Sequence, residues 1–251
     1  MGTKIDGTVA LVTGANRGIG RAIAESLLDR GAARVWAAAR DTSSLTELQE
    51  RHAGRLEPLR LDVTDAEQVA AAAERAGDVR LLVNNAGVAA PRALVAADVV
   101  DRAREEMEVN YFAPLRLVQR FAPILGENGG GALVNVLSVS GLTSFPIFTT
   151  YSASKAASHS LTQAARVLLA KQGTAVHGVY PGPVDTDMAE DLPMEKASAA
   201  EVASAILDGI EAGREEVFPD AFAQEFAERF ASSPKESERS VAAMVAEVLR
   251  R

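Results

Sequence analysis

The chain of 251 residues contains no cysteine and only three histidines. Without cysteine there is no disulfide framework, no thiol nucleophile and no thiolate metal site. The histidines, His52, His159 and His177, are too scattered in sequence to indicate a metal centre, so no bound metal is expected. A chain without disulfides fits a reducing compartment, and we expect a cytoplasmic protein.

Positive charge and long apolar runs are also scarce. The 26 Lys and Arg residues are outnumbered by 34 Asp and Glu residues, which gives a formal net charge of −8. This balance argues against nucleic acid or an anionic membrane surface as the main partner. No apolar run of about 18 residues occurs, and the first residues lack the apolar core of a secretion signal, so no membrane association is expected.

What remains is the composition of an ordinary globular protein. Hydrophobic residues make up 47% of the chain and charged residues 24%. The length suffices for one large domain with a well-buried core. Because we find neither an internal repeat nor a long linker, we predict a single domain over residues 1–251.

Short apolar strands alternate with helical patterns along most of the chain. Strands are predicted at 9–13, 34–39, 56–61, 79–83, 132–137, 175–180 and 216–218. This alternation predicts an α/β fold, a doubly wound parallel sheet of about seven strands with helices on both faces. A helical pattern over 98–125 contains Pro114, where a local break is expected. A helical C-terminal tail is predicted at about 220–250.

The first strand runs directly into a glycine-rich turn. Its glycines allow close backbone approach to a ligand, and the N-terminus of the following helix presents free N–H groups to a phosphate. The spacing Gly-x-x-x-Gly-x-Gly differs from the more familiar Gly-x-Gly-x-x-Gly. We therefore predict a dinucleotide-phosphate site built from Gly14, Asn16, Arg17, Gly18, Ile19 and Gly20.

The end of the second strand bears on the choice of dinucleotide. In folds that bind NAD, an acidic residue near this point binds the ribose 2′-hydroxyl. Here the strand ends at Ala39-Arg40, and Arg17 in the glycine turn is a second cation. Two guanidinium groups near one phosphate favour NADP(H) over NAD(H). In the alternative, Arg40 is a surface residue, and Asp41 either caps the next helix or reaches the ribose itself.

Tyr151 and Lys155 lie four residues apart in a predicted helix over 151–171, so both point to one face. An ammonium group beside a phenol favours the phenolate and lowers the phenol pKa from about 10 by roughly 1–3. That would make Tyr151 a usable proton donor or acceptor near neutral pH. The spacing alone is common on solvated helix faces, so its meaning depends on the other motifs.

Those motifs occur in a fixed order between residues 13 and 188. They are Thr13-Gly-x-x-x-Gly-Ile-Gly20, Asn84-Asn-Ala-Gly87, Asn110, Ser138, Tyr151-x-x-x-Lys155 and Pro181-Gly182 with Thr186. In this order and spacing the sequence resembles the short-chain dehydrogenase/reductase family, in its single-domain branch. The resemblance implies a Rossmann fold, an oxidoreductase activity and a catalytic tetrad of Asn110, Ser138, Tyr151 and Lys155.

The resemblance also assigns roles to these residues. Tyr151 would protonate the carbonyl oxygen in reduction, as a general acid, and Ser138 would orient that oxygen. Lys155 would also hydrogen-bond the nicotinamide ribose, and Asn110 would hold a water that links the lysine to solvent. The implied cofactor contacts are Gly14, Asn16, Arg17, Gly18, Ile19, Gly20, Arg40, Asp62, Val63, Asn84, Ala86, Gly87, Tyr151, Lys155, Pro181, Gly182, Val184 and Thr186.

Four apolar residues, Leu142, Phe145, Phe148 and Met188, are candidates for the substrate pocket. They indicate a ketone or aldehyde with a hydrophobic body, reduced reversibly to an alcohol with NADPH. The segment at about 188–199 would be a short lid over an open pocket. A 3-oxoacyl thioester reductase of the same family is the alternative. A non-catalytic NADP(H)-binding sensor is a third reading, which the complete tetrad disfavours.

The C-terminal sequence departs from the family pattern. Many members end in a Gly-Gly-rich segment that helps to build tetramers, whereas here Phe218-Pro-Asp-Ala-Phe leads into a charged helical tail. This puts the tetramer contact along the last strand in doubt. A contact through the helices that hold Asn110 and Tyr151 is retained, so we expect a homodimer, with a homotetramer as the alternative.

Overall fold

The computed structural model describes residues 2–91, 94–190 and 194–248. Its centre is one parallel sheet, in which every pair of neighbouring strands runs in the same direction. The strands are β1 Val9–Thr13, β2 Arg34–Ala39, β3 Leu56–Arg60, β4 Leu81–Asn84, β5 Gly131–Val136, β6 Thr174–Val179 and β7 Glu216–Val217. The predicted fold class is confirmed, and each strand lies within two residues of its predicted place.

The helices are α1 Gly18–Asp29, α2 Thr46–Arg51, α3 Ala66–Arg75, α4 Val99–Met107, α5 Ala113–Glu127, α6 Thr149–Leu169, α7 Ala199–Glu211, α8 Ala221–Ser232 and α9 Pro234–Val248. Because successive strand residues point to opposite faces of a sheet, the helices bury two separate cores against it. Ala10 and Val12 of β1 pack in the cluster that includes α1 and α7, whereas Leu11 packs in the cluster of α3, α5 and α6.

The strand order is β3-β2-β1-β4-β5-β6-β7. The chain therefore builds outward from β1 to one edge and then returns to place β4 on the other side of β1. Such a reversal leaves a crevice at the carboxyl ends of the strands, where ligands bind in folds of this type. The glycine-rich turn after β1 lies beside this reversal.

The break expected at Pro114 takes the form of a π-helical segment at Glu108–Phe112, between α4 and α5. Proline has no N–H group, so Pro114 leaves the carbonyl four residues earlier, that of Asn110, without its helical donor. The hydroxyl of Ser158 on α6 donates a hydrogen bond to that carbonyl instead. The break thus fixes α6 against the segment that carries Asn110.

The last two helices, α8 and α9, pack over the carboxyl end of the sheet. Their apolar residues share a third buried cluster with Leu137, Val139 and Tyr180, which lie at the ends of β5 and β6. The predicted helical tail is present as these two helices; residues 249–250 lie outside the described part of the chain. Within the described residues, no helix is long and apolar enough to cross a membrane.

Candidate active site

A cavity of about 960 Å³ follows the carboxyl ends of the strands from β3 to β6. Most of the residues predicted from the sequence line it. These are Gly14, Asn16, Arg17, Gly18, Ile19, Arg40, Asp62, Val63, Ala86, Gly87, Ser138, Tyr151, Lys155, Pro181, Gly182, Val184 and Thr186, with Phe145, Phe148 and Met188 of the predicted substrate pocket. The strand order places the glycine turn and Arg40 towards one end and Ser138 with Tyr151 towards the other.

The glycine turn has the conformation that a phosphate cradle needs. Gly14 and Gly18 have positive φ angles of 65° and 51°, which L-residues with side chains rarely adopt. Helix α1 starts at Gly18 without a side-chain cap, and its first turn carries no acidic residue. Its first N–H groups therefore face the cavity end unneutralised, which fits the pyrophosphate of a dinucleotide.

Gly20 serves packing rather than the cavity, which it does not line among the described residues. A Cβ atom at this position would lie 2.2 Å from the carbonyl oxygen of Gly14 and 2.4 Å from Nδ2 of Asn85. The start of α1 therefore presses directly on the turn. Gly20 thus allows the helix to pack closely on the turn, and its predicted cofactor contact stays a prediction.

The two consecutive asparagines after β4 have opposite orientations. Asn84 is buried and donates a 2.8 Å hydrogen bond to Oδ1 of Asn135, its partner on β5. Asn85 lines the cavity and donates to the carbonyl oxygen of Thr13. The side chain of Asn84 thus belongs to the sheet face covered by α6, where Asn135 donates to Thr162, and the cofactor contact predicted for Asn84 stays a prediction. Asn85 is the residue that the sequence interpretation missed.

Arg40 is exposed at the end of β2 and lines the cavity. Among the described residues, Arg40 makes no ion pair. By contrast, Nη1 of Arg17 lies 2.5 Å from Oδ2 of Asp187. The Oδ1 atom of Asp41 accepts the backbone N–H of Ser43, which lowers the pKa of this carboxyl group. Arg40 therefore makes no direct ion pair among the described residues, although its charge contributes to lowering the pKa of Asp62 at the same end of the cavity.

Asp62, after β3, also lines the cavity. Its Oδ1 atom accepts hydrogen bonds from both the hydroxyl and the backbone N–H of Thr64, which lower the pKa of the carboxyl group. Asp65 caps α3 by accepting the N–H groups of Glu67 and Gln68.

At the other end of the cavity, Ser138 follows β5 while Tyr151 and Lys155 extend from the first turns of α6. The Nζ atom of Lys155 donates a 2.8 Å hydrogen bond to the carbonyl oxygen of Val136 and lies 5.7 Å from the centroid of the Tyr151 ring. The hydroxyl of Ser138 hydrogen-bonds the phenol of Tyr151. The three side chains thus converge on one point of the cavity.

The electrostatics of this group differ from the sequence-based prediction. Burial raises the pKa of Tyr151 to about 12, against an opposing effect of the Ser138 hydrogen bond and with a further increase from the charge of Glu106. Burial also lowers the pKa of Lys155 to about 8. The prediction that Lys155 holds the pKa of Tyr151 below its usual value is wrong for this structure, because burial disfavours the phenolate more than the Ser138 hydrogen bond favours it.

Asn110 lies behind the cavity wall rather than in it. Its side-chain Oδ1 accepts the N–H of Val88, and its Nδ2 donates to the carbonyl oxygen of Val88 and to the hydroxyl of Ser154. The amide thereby ties the loop after β4 to α6. The water-holding role of Asn110 stays a prediction, while the structure shows a residue that anchors the loop.

Glu106, one helical turn before Asn110, was not a sequence-based candidate. It is only 2% exposed, and its Oε1 atom accepts the backbone N–H of Ala90 at 3.1 Å. Its Oε2 atom is buried without a hydrogen-bond partner among the described residues. In the sequence Glu106 stands within a charged run, Arg104-Glu-Glu-Met-Glu108, so no local signal distinguishes it from solvated neighbours.

More residues line the substrate end of the cavity than were predicted. Phe145, Phe148 and Met188 line it, whereas Leu142 packs into the cluster beneath α8 and α9 and is no part of the lining. Leu142 directly follows a short 3-10 turn at Val139–Gly141, which directs it into that core. The sequence interpretation missed the apolar lining residues Ile147, Met194, Phe222 and Met244, and also Glu105 and Glu108, which line the same cavity.

The predicted lid at 188–199 is described only in part, because residues 191–193 lie outside the described chain. It begins with a 3-10 turn at Asp187–Ala189, and Ala197 pairs with Val184.

His159 lies outside the cavity lining, with Nδ1 at 2.7 Å from the hydroxyl of Tyr180. Among the described residues, no cluster of three His, Asp or Glu side chains is arranged to hold a metal ion.

Comparison with known proteins gives a consistent result. The family model described as short chain dehydrogenase matches residues 8–197. The chain is 36% identical over 200 residues to cis-4-hydroxycyclohexanecarboxylate dehydrogenase of Sinomonas cyclohexanicum, covering 78% of this chain and 80% of the relative. It is 33% identical over 205 residues to a 3-oxoacyl-[acyl-carrier-protein] reductase of Thermotoga maritima, covering 77% and 80%.

Among solved structures, a short chain dehydrogenase from Burkholderia cenocepacia J2315, in complex with NADP, superposes with a TM-score of 0.89. It shares 41% sequence identity, and the match covers 95% of this chain and 98% of the other. The likeness therefore includes the C-terminal helices that follow the residues of the family model.

Proposed function

The chain belongs to the short-chain dehydrogenase family, and we propose that it is an NADP(H)-dependent oxidoreductase that reduces a ketone or aldehyde reversibly to an alcohol. The observation that carries the proposal is the convergence of Ser138, Tyr151 and Lys155 in the same cavity as the glycine turn. A proton donor, a hydrogen-bonding hydroxyl and a dinucleotide cradle are what carbonyl reduction with a nicotinamide requires.

The preference for NADP(H) is supported by the adenosine end of the cavity. Arg40 stands where an acidic residue would repel a 2′-phosphate, and among the described residues it makes no direct ion pair. The open N-terminus of α1 suits the pyrophosphate. The solved structure at 41% identity was obtained with NADP. Arg17, paired with Asp187, is assigned a smaller part.

The proposed chemistry divides between the cofactor and the chain. When bound, the nicotinamide supplies the hydride for the carbonyl carbon. Ser138 donates a hydrogen bond to the carbonyl oxygen and orients it, and Tyr151 delivers its phenolic proton to that oxygen as charge develops there. Lys155, held by the carbonyl of Val136, places a positive charge beside the phenolate that is left.

The high pKa of Tyr151 bears on the direction. At about 12, it keeps the phenol protonated at neutral pH, which suits a proton donor in reduction. Alcohol oxidation needs the phenolate as base, so we propose that oxidation in this enzyme is favoured by alkaline pH.

A 3-oxoacyl thioester carried on an acidic protein is the second candidate, since one relative bears that name. Such a partner requires a basic surface at the mouth of the pocket. The lining cations in the described chain are Arg17, which is paired with Asp187, Lys155, which is held by a backbone carbonyl, and Arg40, which lies towards the adenosine end. The charge distribution therefore favours a free carbonyl compound. A non-catalytic sensor is disfavoured because all four tetrad residues are present.

For the assembly we propose a homodimer through α5 and α6. Exposed apolar side chains lie around these helices, and an apolar surface of this kind typically marks a contact with another protein chain. The residues are Phe112, Leu115, Val167 and Leu168. Val167 and Leu168 are 75% and 73% exposed. Light scattering of the Leu168→Glu variant should show a smaller mass than that of the unmodified chain.

The function is tested by following NADPH absorbance with a panel of ketones and aldehydes. We expect turnover of at least one apolar ketone and its loss, by about 100-fold or more, in the Tyr151→Phe variant. NADPH binding should remain nearly unchanged. Tyr111→Phe removes a phenolic hydroxyl outside the cavity lining and is the matched control. Turnover retained in Tyr151→Phe would show that another group donates the proton.

A further inference from the structure

The C-terminal helices α8 and α9 take part in the substrate end of the cavity. Phe222, in the first turn of α8, and Met244, in α9, both line it. These residues lie after the segment 8–197 that the family model matches. The pocket wall that they form therefore lies outside the part of the chain that the family model matches.

The start of α8 is fixed to the segment after β6. Asp220, which is 7% exposed, caps α8 through Oδ1, which accepts the N–H of Ala223 at 2.8 Å. Its Oδ2 accepts the N–H of Gly182 at 2.9 Å. A Cβ atom at Gly182 would lie 2.7 Å from both Oδ1 of Asp220 and Cδ1 of Phe222. Helix α8 thus rests directly on a glycine that lines the cavity.

The two helices also have a core that keeps this wall in place. It consists of Leu137, Val139, Tyr180, Ala223, Phe226, Val241 and Val245. The ring of Phe145, a lining residue, lies 6.2 Å from that of Phe226 on α8. Movement of α8 and α9 would therefore disturb the pocket lining on both sides.

The chemistry of the wall is apolar. The substrate end is lined by Phe145, Ile147, Phe148, Met194, Phe222 and Met244. Of the lining cations in the described chain, Lys155 is held by a backbone carbonyl and Arg17 is paired with Asp187, while Arg40 lies at the end of β2, towards the adenosine end. A carboxylate substrate would lack a partner here, whereas an apolar body would be well solvated by aromatic and thioether groups.

We propose that α8 and α9 are the specificity element of this enzyme: Phe222 and Met244 select uncharged carbonyl compounds with an apolar body, Met244 limits their size, and Asp220 is the positioning residue that fixes the wall to Gly182. This assignment rests on the proposed carbonyl reductase function. The flexible side chain of Met244 sets the depth of the pocket, so shortening it admits larger ketones.

The first test compares kcat/KM for NADPH-dependent reduction of methyl ketones from 2-butanone to 2-decanone and of the bulkier benzophenone. Met244→Ala should raise kcat/KM for the largest ketones relative to 2-butanone by about 10-fold. Arg239→Ala is the matched control, because it removes a long side chain from an exposed position of the same helix, outside both the cavity lining and the core of the wall. It should keep the size ranking of the unmodified chain. An unchanged ranking in Met244→Ala would overturn the assignment.

The second test does not depend on turnover and uses the absence of cysteine. Met244→Cys introduces a single thiol, and its rate of alkylation by N-ethylmaleimide is measured with NADP⁺, with and without saturating benzophenone. The ketone should slow alkylation several-fold. Ala243→Cys, at an exposed position of the same helix, should be unaffected. Equal alkylation rates with and without ketone in Met244→Cys would refute the assignment of Met244 to the wall of the substrate pocket.

The two tests separate the two proposals. If the ketone protects Met244→Cys but no carbonyl compound is turned over, the reductase function is refuted and the assignment of α8 and α9 to the pocket wall is supported. Ketone turnover without protection of Met244→Cys, and with an unchanged size ranking in Met244→Ala, would support the reductase function and refute the assignment of α8 and α9 as the specificity wall.

Discussion

The ammonium nitrogen of Lys155 on α6 lies 2.8 Å from the carbonyl oxygen of Val136, the last residue of β5. This bond joins the helix that carries Tyr151 to the strand that leads to Ser138. It also keeps the ammonium group in a buried place, where burial lowers the pKa of Lys155 to about 8. The contact therefore relates the geometry of the site to the pH dependence of the fold.

The first prediction concerns stability against pH. Because the pKa of Lys155 falls from 10.5 to about 8 on folding, the unfolded chain binds one more proton than the folded chain between these values. The free energy of unfolding therefore rises with pH across this window, by about 2 kcal/mol between pH 8 and 10. Urea unfolding of the unmodified chain and of Lys155→Met at both values should give this difference.

The subtraction of the variant removes the contributions of all other groups, which titrate alike in both proteins. The measurement stops at pH 10, because the raised pKa of Tyr151 makes the folded chain lose stability between about 10 and 12. A difference between the two proteins that stays constant from pH 8 to 10 would contradict the lowered pKa of Lys155.

The second prediction concerns the choice of cofactor. Arg40→Asp should weaken NADPH binding by about 10- to 100-fold more than NADH binding, since it replaces a charge-assisted contact to the 2′-phosphate by a repulsion. Dissociation constants for both cofactors are obtained from protein fluorescence. Arg60→Asp, at the end of β3 and outside the cavity lining, makes the same charge change. Equal losses for both cofactors in Arg40→Asp would exclude the phosphate contact.

The third prediction concerns Glu106, which holds the loop after β4 through the N–H of Ala90. Glu106→Gln keeps an acceptor for that N–H but removes a charge that raises the pKa of Tyr151. It should therefore increase alcohol oxidation at pH 9, relative to the unmodified enzyme. Glu106→Ala also removes the hydrogen bond and should lower kcat/KM by about 10-fold through the loosened loop. Identical pH profiles of all three proteins would refute the electrostatic role.

Much of this arrangement is predictable because its signals are local. The strands are short apolar runs, and the glycine turn follows one of them without a gap, so Gly14 to Ile19 fall at the cavity by sequence alone. Tyr151 and Lys155 share a helix face because of the helical period. These features depend on neighbours in sequence, and the structure retains them.

The errors have a common cause in tertiary packing. The sequence Asn84-Asn85 does not indicate which side chain bonds the neighbouring strand and which lines the cavity, because that depends on where β4 ends. The burial that raises the pKa of Tyr151 is contributed by distant segments, as is the burial of Glu106 among charged sequence neighbours. Phe222 and Met244 reach the cavity only because α8 and α9 fold back over the sheet.

The last prediction concerns Asp220, whose two carboxylate oxygens accept the N–H groups of Gly182 and Ala223. Asp220→Asn leaves one acceptor and turns an NH₂ group towards the other donor, so the fold should lose about 1 kcal/mol. Because α8 then separates from Gly182, KM for an apolar ketone should rise about 10-fold while kcat changes less. Asp65→Asn weakens a comparable cap on α3, away from the substrate end, and should cost similar stability without changing KM. If both variants left KM unchanged, Asp220 would be a helix cap and nothing more.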